Sequence, residues 1–206
     1  MNSKNKGNRF ERKIAGFFTK WTGYKFERNR AGSGAWHSNK DSTSDLTCTD
    51  ERHAHRCKIS IECKNYKEIK FEHLLLGNKG CDILKFWEQA SKDAKRANKV
   101  PILCMRYNSM PSEEFFFVVG KDLSSVFYKP LFDKANIMVI DVPKIDEILY
   151  VFMASDILKN VNYKLVHKQA KFIIINYLPI SFYKSNKFFS SSSQINIKLN
   201  PKSQYF

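Results

Sequence analysis

The segment that most restricts what this chain can fold into is KISIECKN, residues 58–65. Ile59, Ile61 and Cys63 alternate there with Ser60, Glu62 and Lys64. A period of two is the mark of an extended strand with one apolar face. A helix would scatter the same residues around its surface. The chain must therefore build a sheet, and one strand of it must carry Glu62 and Lys64 on the face opposite Ile61. Alternate residues of a strand lie about 6 to 7 Å apart, so a carboxylate and an ammonium project together.

The rest of the sequence supplies elements to flank that strand. Phe10, Ile14, Phe17 and Trp21 recur at helical spacing and predict a helix from about Asn8 to Trp21, with Gly23 as its stop. Tyr24–Arg30 alternates as a short strand, and a Gly- and Ser-containing loop follows over residues 31–44. Asp45–Thr49 and Lys58–Asn65 read as strands, joined as a hairpin by the polar stretch Asp50–Arg56. Asp82–Asn98 is the clearest helix, with Ile83, Trp87, Ala90, Ala94 and Ala97 on one face. Strands are predicted at Val100–Tyr107, Glu114–Val119 and Ile137–Val142, and a closing helix at Ile145–Leu158. This order predicts an α/β or α+β domain over residues 1–158. Residues 159–206, with the run NKFFSSSSQINIKLNPKSQYF, read as a basic C-terminal extension of weak periodicity.

Charge narrows the function classes. The 206 residues carry 35 Lys and Arg against 20 Asp and Glu, a formal net charge of +15. The first 110 residues hold +11 of it, residues 111–158 hold −4, and residues 159–206 hold +8. A polyanion is the first candidate partner. The longest apolar stretch, Phe172–Tyr183, contains Asn176, Pro179 and Ser181 and is too short to span a membrane. Five cysteines and a polar N-terminal segment without an apolar run predict a reducing cytoplasm rather than a secreted disulfide scaffold. Richness in Asn, Lys, Ile and Phe points to an AT-rich genome, that of a phage or its prokaryotic host.

Acids embedded in this basic half suggest chemistry. Asp45 opens the strand before Glu62, and if the two strands pair, Asp45 sits beside Glu62. Two convergent carboxylates suit a hard cation such as Mg²⁺ or Mn²⁺. A lysine beside them can orient or deprotonate an attacking water, or stabilise charge on a phosphate. Glu11 lies at the border of the buried face of the first helix, where a metal site or a basic partner would relieve its burial. Lys85, Gln89, Lys92 and Arg96 form a polar, basic stripe on the second long helix. Lys4, Lys6, Arg9 and Arg12 cluster near the start of the first. Contacts of this kind supply affinity for phosphates without base specificity.

The ordered set KGNRFER, RAGSGA, SDLTC, IECKN and FWEQASKDAKRANK resembles the archaeal-type Holliday junction resolvases of the PD-(D/E)XK nuclease superfamily, over roughly residues 4–120. The resemblance implies a restriction-endonuclease-like mixed β-sheet flanked by helices. It implies that Glu11, Asp45 and Glu62 ligate Mg²⁺, for which Mn²⁺ can substitute, together with the Cys63 backbone carbonyl. By the same likeness Lys64 is the catalytic lysine, Ser33 contacts the scissile region, Arg30 contacts backbone phosphates, and Gln89 is the helix glutamine near the site. With Lys6, Arg9 and Lys92 these define the expected DNA contacts. The implied activity is Mg²⁺-dependent endonucleolytic cleavage of branched DNA by a homodimer, because symmetric cuts in two strands need two sites related by a two-fold axis. A restriction- or repair-type endonuclease acting on duplex DNA is the alternative within the superfamily, and a non-catalytic DNA-binding accessory protein the alternative outside it.

A rival metal reading rests on Cys48, His53, His55 and Cys57, four potential zinc ligands in a short stretch. Their spacing matches no established zinc pattern. Cys48 and Cys63 read better as small buried hydrophobes.

Overall fold

The computed structural model describes residues 3–29, 44–75, 82–142, 146–177 and 197–199. Helix α1 spans Ser3–Thr22, β1 Phe26–Arg28, β2 Leu46–Cys48 and β3 Ile59–Tyr66. A short helix α2 (Glu72–Leu75) and the long α3 (Asp82–Arg96) precede β4 (Val100–Tyr107) and β5 (Phe116–Gly120). Helix α4 (Lys121–Leu131), β6 (Met138–Val142), β7 (Glu147–Met153), α5 (Ala154–Asn160), α6 (Tyr163–Tyr177) and β8 (Ile197–Leu199) complete the order. The chain is α/β, with a mixed sheet flanked by helices.

Among the described residues the main sheet runs β3-β4-β5-β7-β6-β8, and β1 and β2 form a separate two-stranded ribbon. Strands β3 and β4 are parallel, with α3 as the crossover between them, and the other ladders are antiparallel. Parallel neighbours share faces, so the pairing of Ile61 with Ile102 and of Glu62 with Leu103 sorts β3 into two sides. Ile59, Ile61 and Cys104 belong to the core beneath α1, and Leu103 and Met105 belong to the core beneath α3. Glu62 and Lys64 therefore emerge on the α3 side.

The first core is aromatic. Phe18 is fully buried, although the sequence pattern favoured Phe17, which packs only partly buried beside it. Trp21 packs against Phe117, Phe127 and Tyr163 and donates its indole N–H to Val161 O at 2.7 Å. That bond ties α1 to the α5–α6 junction. Tyr163, Val166, Ala170 and Ile173 of α6 are buried in the same core. Part of the stretch set apart as an extension thus packs with the rest.

Several expectations are corrected. Helix α1 begins at Ser3, five residues before the expected Asn8, because polar residues and Gly7 carry no periodic signal. Residues Ile145–Leu158 are not one helix. Glu147–Met153 form β7, with Leu149, Val151 and Phe152 buried, and the short α5 follows. Asp146, at φ 50°, makes the turn from β6, and the β-branched and aromatic run EILYVFM suits the sheet interior better than a helix. Helix α3 ends where Asn98 takes φ 56° and Lys99 N–H reaches back to Ala94 O at 2.9 Å, a Schellman-type stop. Strand β2 does not pair with β3 as a hairpin. It pairs antiparallel with β1, from Phe26↔Cys48 to Arg28↔Leu46. The connection 50–56 is a turn and a 3-10 segment, Ala54–Arg56, rather than a hairpin loop.

Candidate active site

Strand β3 is the edge of the main sheet, and its free edge receives Asp45. Asp45 N–H donates to Ile61 O at 3.1 Å, and Cys63 N–H donates to Asp45 Oδ2 at 2.7 Å. From the other side Asn29 N–H donates to Asp45 O at 2.8 Å. Ser44, itself buried, bonds Leu46 O through its hydroxyl at 2.8 Å and accepts from the Asn29 amide on its carbonyl at 3.1 Å. The predicted proximity of Asp45 to β3 is thus achieved by one segment crossing the strand edge. Because N–H and C=O of one extended residue leave the strand on the same side, the Cys63 carbonyl also faces the Asp45 edge.

Glu62 is 4% exposed, and its Oε1 lies 2.6 Å from Lys64 Nζ. Lys64 Nζ also donates to Gln89 Oε1 of α3 at 2.9 Å. Gln89 was expected near the site, and its contact is with Lys64 itself. One helical turn on, at the i+4 position, stands Asp93, a residue the sequence reading passed over. Its charge acts on both Asp45 and Glu62. The spacing from Gln89 was the available signal, since positions four apart share a helix face.

These carboxylates are held out of water and close to one another. Burial first, then the neighbouring Asp45 charge, pushes the Glu62 carboxyl up to about 7, against the Lys64 hydrogen bond. Burial likewise raises Asp45, offset in part by the Cys63 N–H and reinforced by Glu11. Burial alone would lower the Lys64 ammonium, but the Glu62 hydrogen bond and the Glu62 and Asp45 charges outweigh it and move it upward. Lys64 is accordingly a persistent cation in a nest of acids.

Glu11 sits on α1 with its carboxylate in an ion pair with Arg28 of β1. Of the two partners foreseen for it, the basic one is present. Among the described residues no group of three His, Cys, Asp or Glu side chains is gathered so as to hold a metal. Arg28 engages Glu11 and Lys64 engages Glu62. Lys6 reaches Tyr66 O at 3.1 Å, while Arg9 and Lys92 are exposed. Arg30 and Ser33 lie outside the described residues.

The rival zinc set does not assemble. Cys48 and Cys57 are buried free thiols, and His53 is buried with Nε2 2.7 Å from Tyr163 Oη. His55 is exposed and accepts from Arg56 Nε. Cys48 and Cys57 lie in the core beneath α1, hydrogen-bonded to each other, and Cys57 is also bonded to His53.

An edge strand with Glu-x-Lys, an aspartate docked on it and a glutamine helix behind it on an α/β sheet defines the PD-(D/E)XK class of nuclease. A family profile described as phage putative PDDEXK endonuclease matches residues 2–175, and the chain belongs to that family. Comparisons with curated proteins and with solved structures return no match. Among the described residues, no helix is long and apolar enough to cross a membrane.

Proposed function

We propose that this nuclease is a divalent-metal-dependent endodeoxyribonuclease that hydrolyses phosphodiesters in branched DNA, with the four-way junction as its preferred substrate and a homodimer as its working form. The observation that carries the metal dependence is the buried Glu62 beside the half-buried Asp45, two mutually repelling carboxylates next to Lys64. A hard cation would relieve that repulsion, and an all-oxygen donor set of Asp45, Glu62 and the Cys63 carbonyl fits Mg²⁺ or Mn²⁺. Glu11, now paired with Arg28, would complete the set.

When bound, such a cation neutralises charge on the scissile phosphate and lowers the pKa of a water. The chain's own groups do the positioning. Lys64 presents its ammonium to the phosphate oxygens and to the attacking water, and Gln89 holds it in place. Burial around Glu62 keeps the local dielectric low, which strengthens each of these interactions. Asp45 is fixed by backbone bonds, so its carboxylate needs no rearrangement to serve.

Branched DNA is favoured by the family likeness of the ordered motifs together with a basic surface that offers phosphate contacts rather than a groove-reading element. The restriction- or repair-type reading is equally compatible with the family to which the chain belongs. One gel separates them. The full chain is incubated with Mg²⁺ and a synthetic four-way junction, the matching linear duplex, or a flap. Symmetric nicking confined to the junction supports the proposal. Cutting of the duplex at one sequence, without junction preference, selects the alternative.

A further inference from the structure

The Lys64 side of β3 faces α3, but the next residue, Asn65, faces the opposite way, toward α1. There the structure holds a cleft of about 620 Å³ that the active site does not use. Lys6, Arg9 and Lys13 line it from α1, at helical spacings of three and four that put them on one face. Asn65 and Arg106 are register partners on β3 and β4 and form its floor. Among the described residues, four cations thus meet one lining carboxylate, that of Glu113.

The donors are held in place. Arg106 is braced by Ser112 O at 3.1 Å and Met110 O at 2.8 Å, and Lys6 is braced by Tyr66 O at 3.1 Å. Arg106 has five N–H groups, so bracing leaves donors to spare. The Asn65 amide oxygen is buried and has no partner. Glu113 is 86% exposed at its side chain and bonds Lys13 at 3.3 Å and the Ser112 hydroxyl at 2.9 Å. It occupies the cation that an anion would seek.

We propose that this cleft seats nucleic-acid backbone phosphates adjoining the cut, and that Glu113 is a built-in competitor for Lys13 which the phosphate displaces. The inference rests on the nuclease reading for its ligand. Lys64 and Asn65 are consecutive on an edge strand, so a strand whose scissile phosphate lies at Lys64 has neighbouring phosphates within reach of the α1 side. The planar, braced guanidinium of Arg106 suits phosphate oxygens better than a point charge would.

The test reads binding without cleavage. A fluorescein-labelled duplex is titrated with the full chain in EDTA over a range of salt concentrations, and anisotropy gives affinity and its salt slope. Arg9→Gln should weaken binding roughly five- to tenfold and flatten the slope by about 0.9. Glu113→Gln should tighten binding roughly two- to fivefold, a gain that no folding defect can imitate. Lys164→Gln, which removes an exposed charge from α6 outside the cleft, is the charge-matched control and should change little. An Arg9→Gln effect no larger than that of Lys164→Gln, or a Glu113→Gln protein that binds no tighter than wild type, overturns the proposal. Failure of the nuclease reading would appear separately, as absence of metal-dependent cutting by wild-type protein.

Discussion

The backbone N–H of Cys63 donates to Asp45 Oδ2 at 2.7 Å, so the carboxylate that opens β2 is positioned by β3. Both of the acidic groups central to the site are thereby referred to one strand, Glu62 through its own backbone and Asp45 through this bond. Asp45→Asn keeps an amide oxygen able to accept from Cys63. It should abolish cleavage, by at least about 100-fold, while the melting temperature moves by less than about 4 °C. Asp45→Ala should lose cleavage equally but cost about 1–3 kcal/mol in urea titrations, because the Cys63 N–H loses its acceptor.

The raised Glu62 carboxyl makes stability depend on pH with a definite sign. Folded Glu62 holds its proton up to about 7, whereas unfolded it releases it near its ordinary 4.5. This contribution is fully present below the unfolded value and is lost as pH rises through the folded one. Metal-free protein should therefore melt at progressively lower temperature across that window. Mg²⁺ competes with the same proton, so the rise in melting temperature on adding it should grow from pH 6 to about pH 8. A Mg²⁺ effect independent of pH, or one that shrinks, would count against Glu62 as a ligand.

Gln89 is exposed, yet it is the second anchor of the Lys64 ammonium. Gln89→Ala should leave the melting temperature unchanged and slow single-turnover cleavage roughly three- to thirtyfold. DNA binding in EDTA should change far less than the rate.

Trp21 joins the first helix to the last ones through its bond to Val161 O. Trp21→Phe removes the indole donor in a buried setting and should cost about 1–3 kcal/mol in chemical denaturation. The cleavage rate measured well below the melting temperature should stay near that of wild type.

What the sequence revealed follows from the range of its signals. The alternation in Ile59–Lys64 and the stripe on α3 are local patterns, and they suffice to place β3, to put Glu62 and Lys64 on one face of it, and to put Gln89 on the polar face of α3. The partner of β2 is a non-local matter. Nothing in SDLTC says whether it pairs with Lys58–Asn65 or with Tyr24–Arg30, and β1 proved to be its partner. Asp45 reached the edge of β3 by a backbone crossing that no periodicity encodes. Arg28 looked like a strand residue and is the counter-ion of Glu11. The helix expected over Ile145–Leu158 failed because a short apolar run supports either period, and its place between β5 and β6 made it a strand.

Metal-dependent junction cleavage through Lys64 is tested most directly by single-turnover cutting of an end-labelled four-way junction under three conditions: wild type with Mg²⁺, wild type with EDTA, and Lys64→Ala with Mg²⁺. Paired cuts in the first condition alone, with junction binding intact in all three, is the predicted result. Cutting in EDTA, or cutting by Lys64→Ala at the wild-type rate, would contradict it.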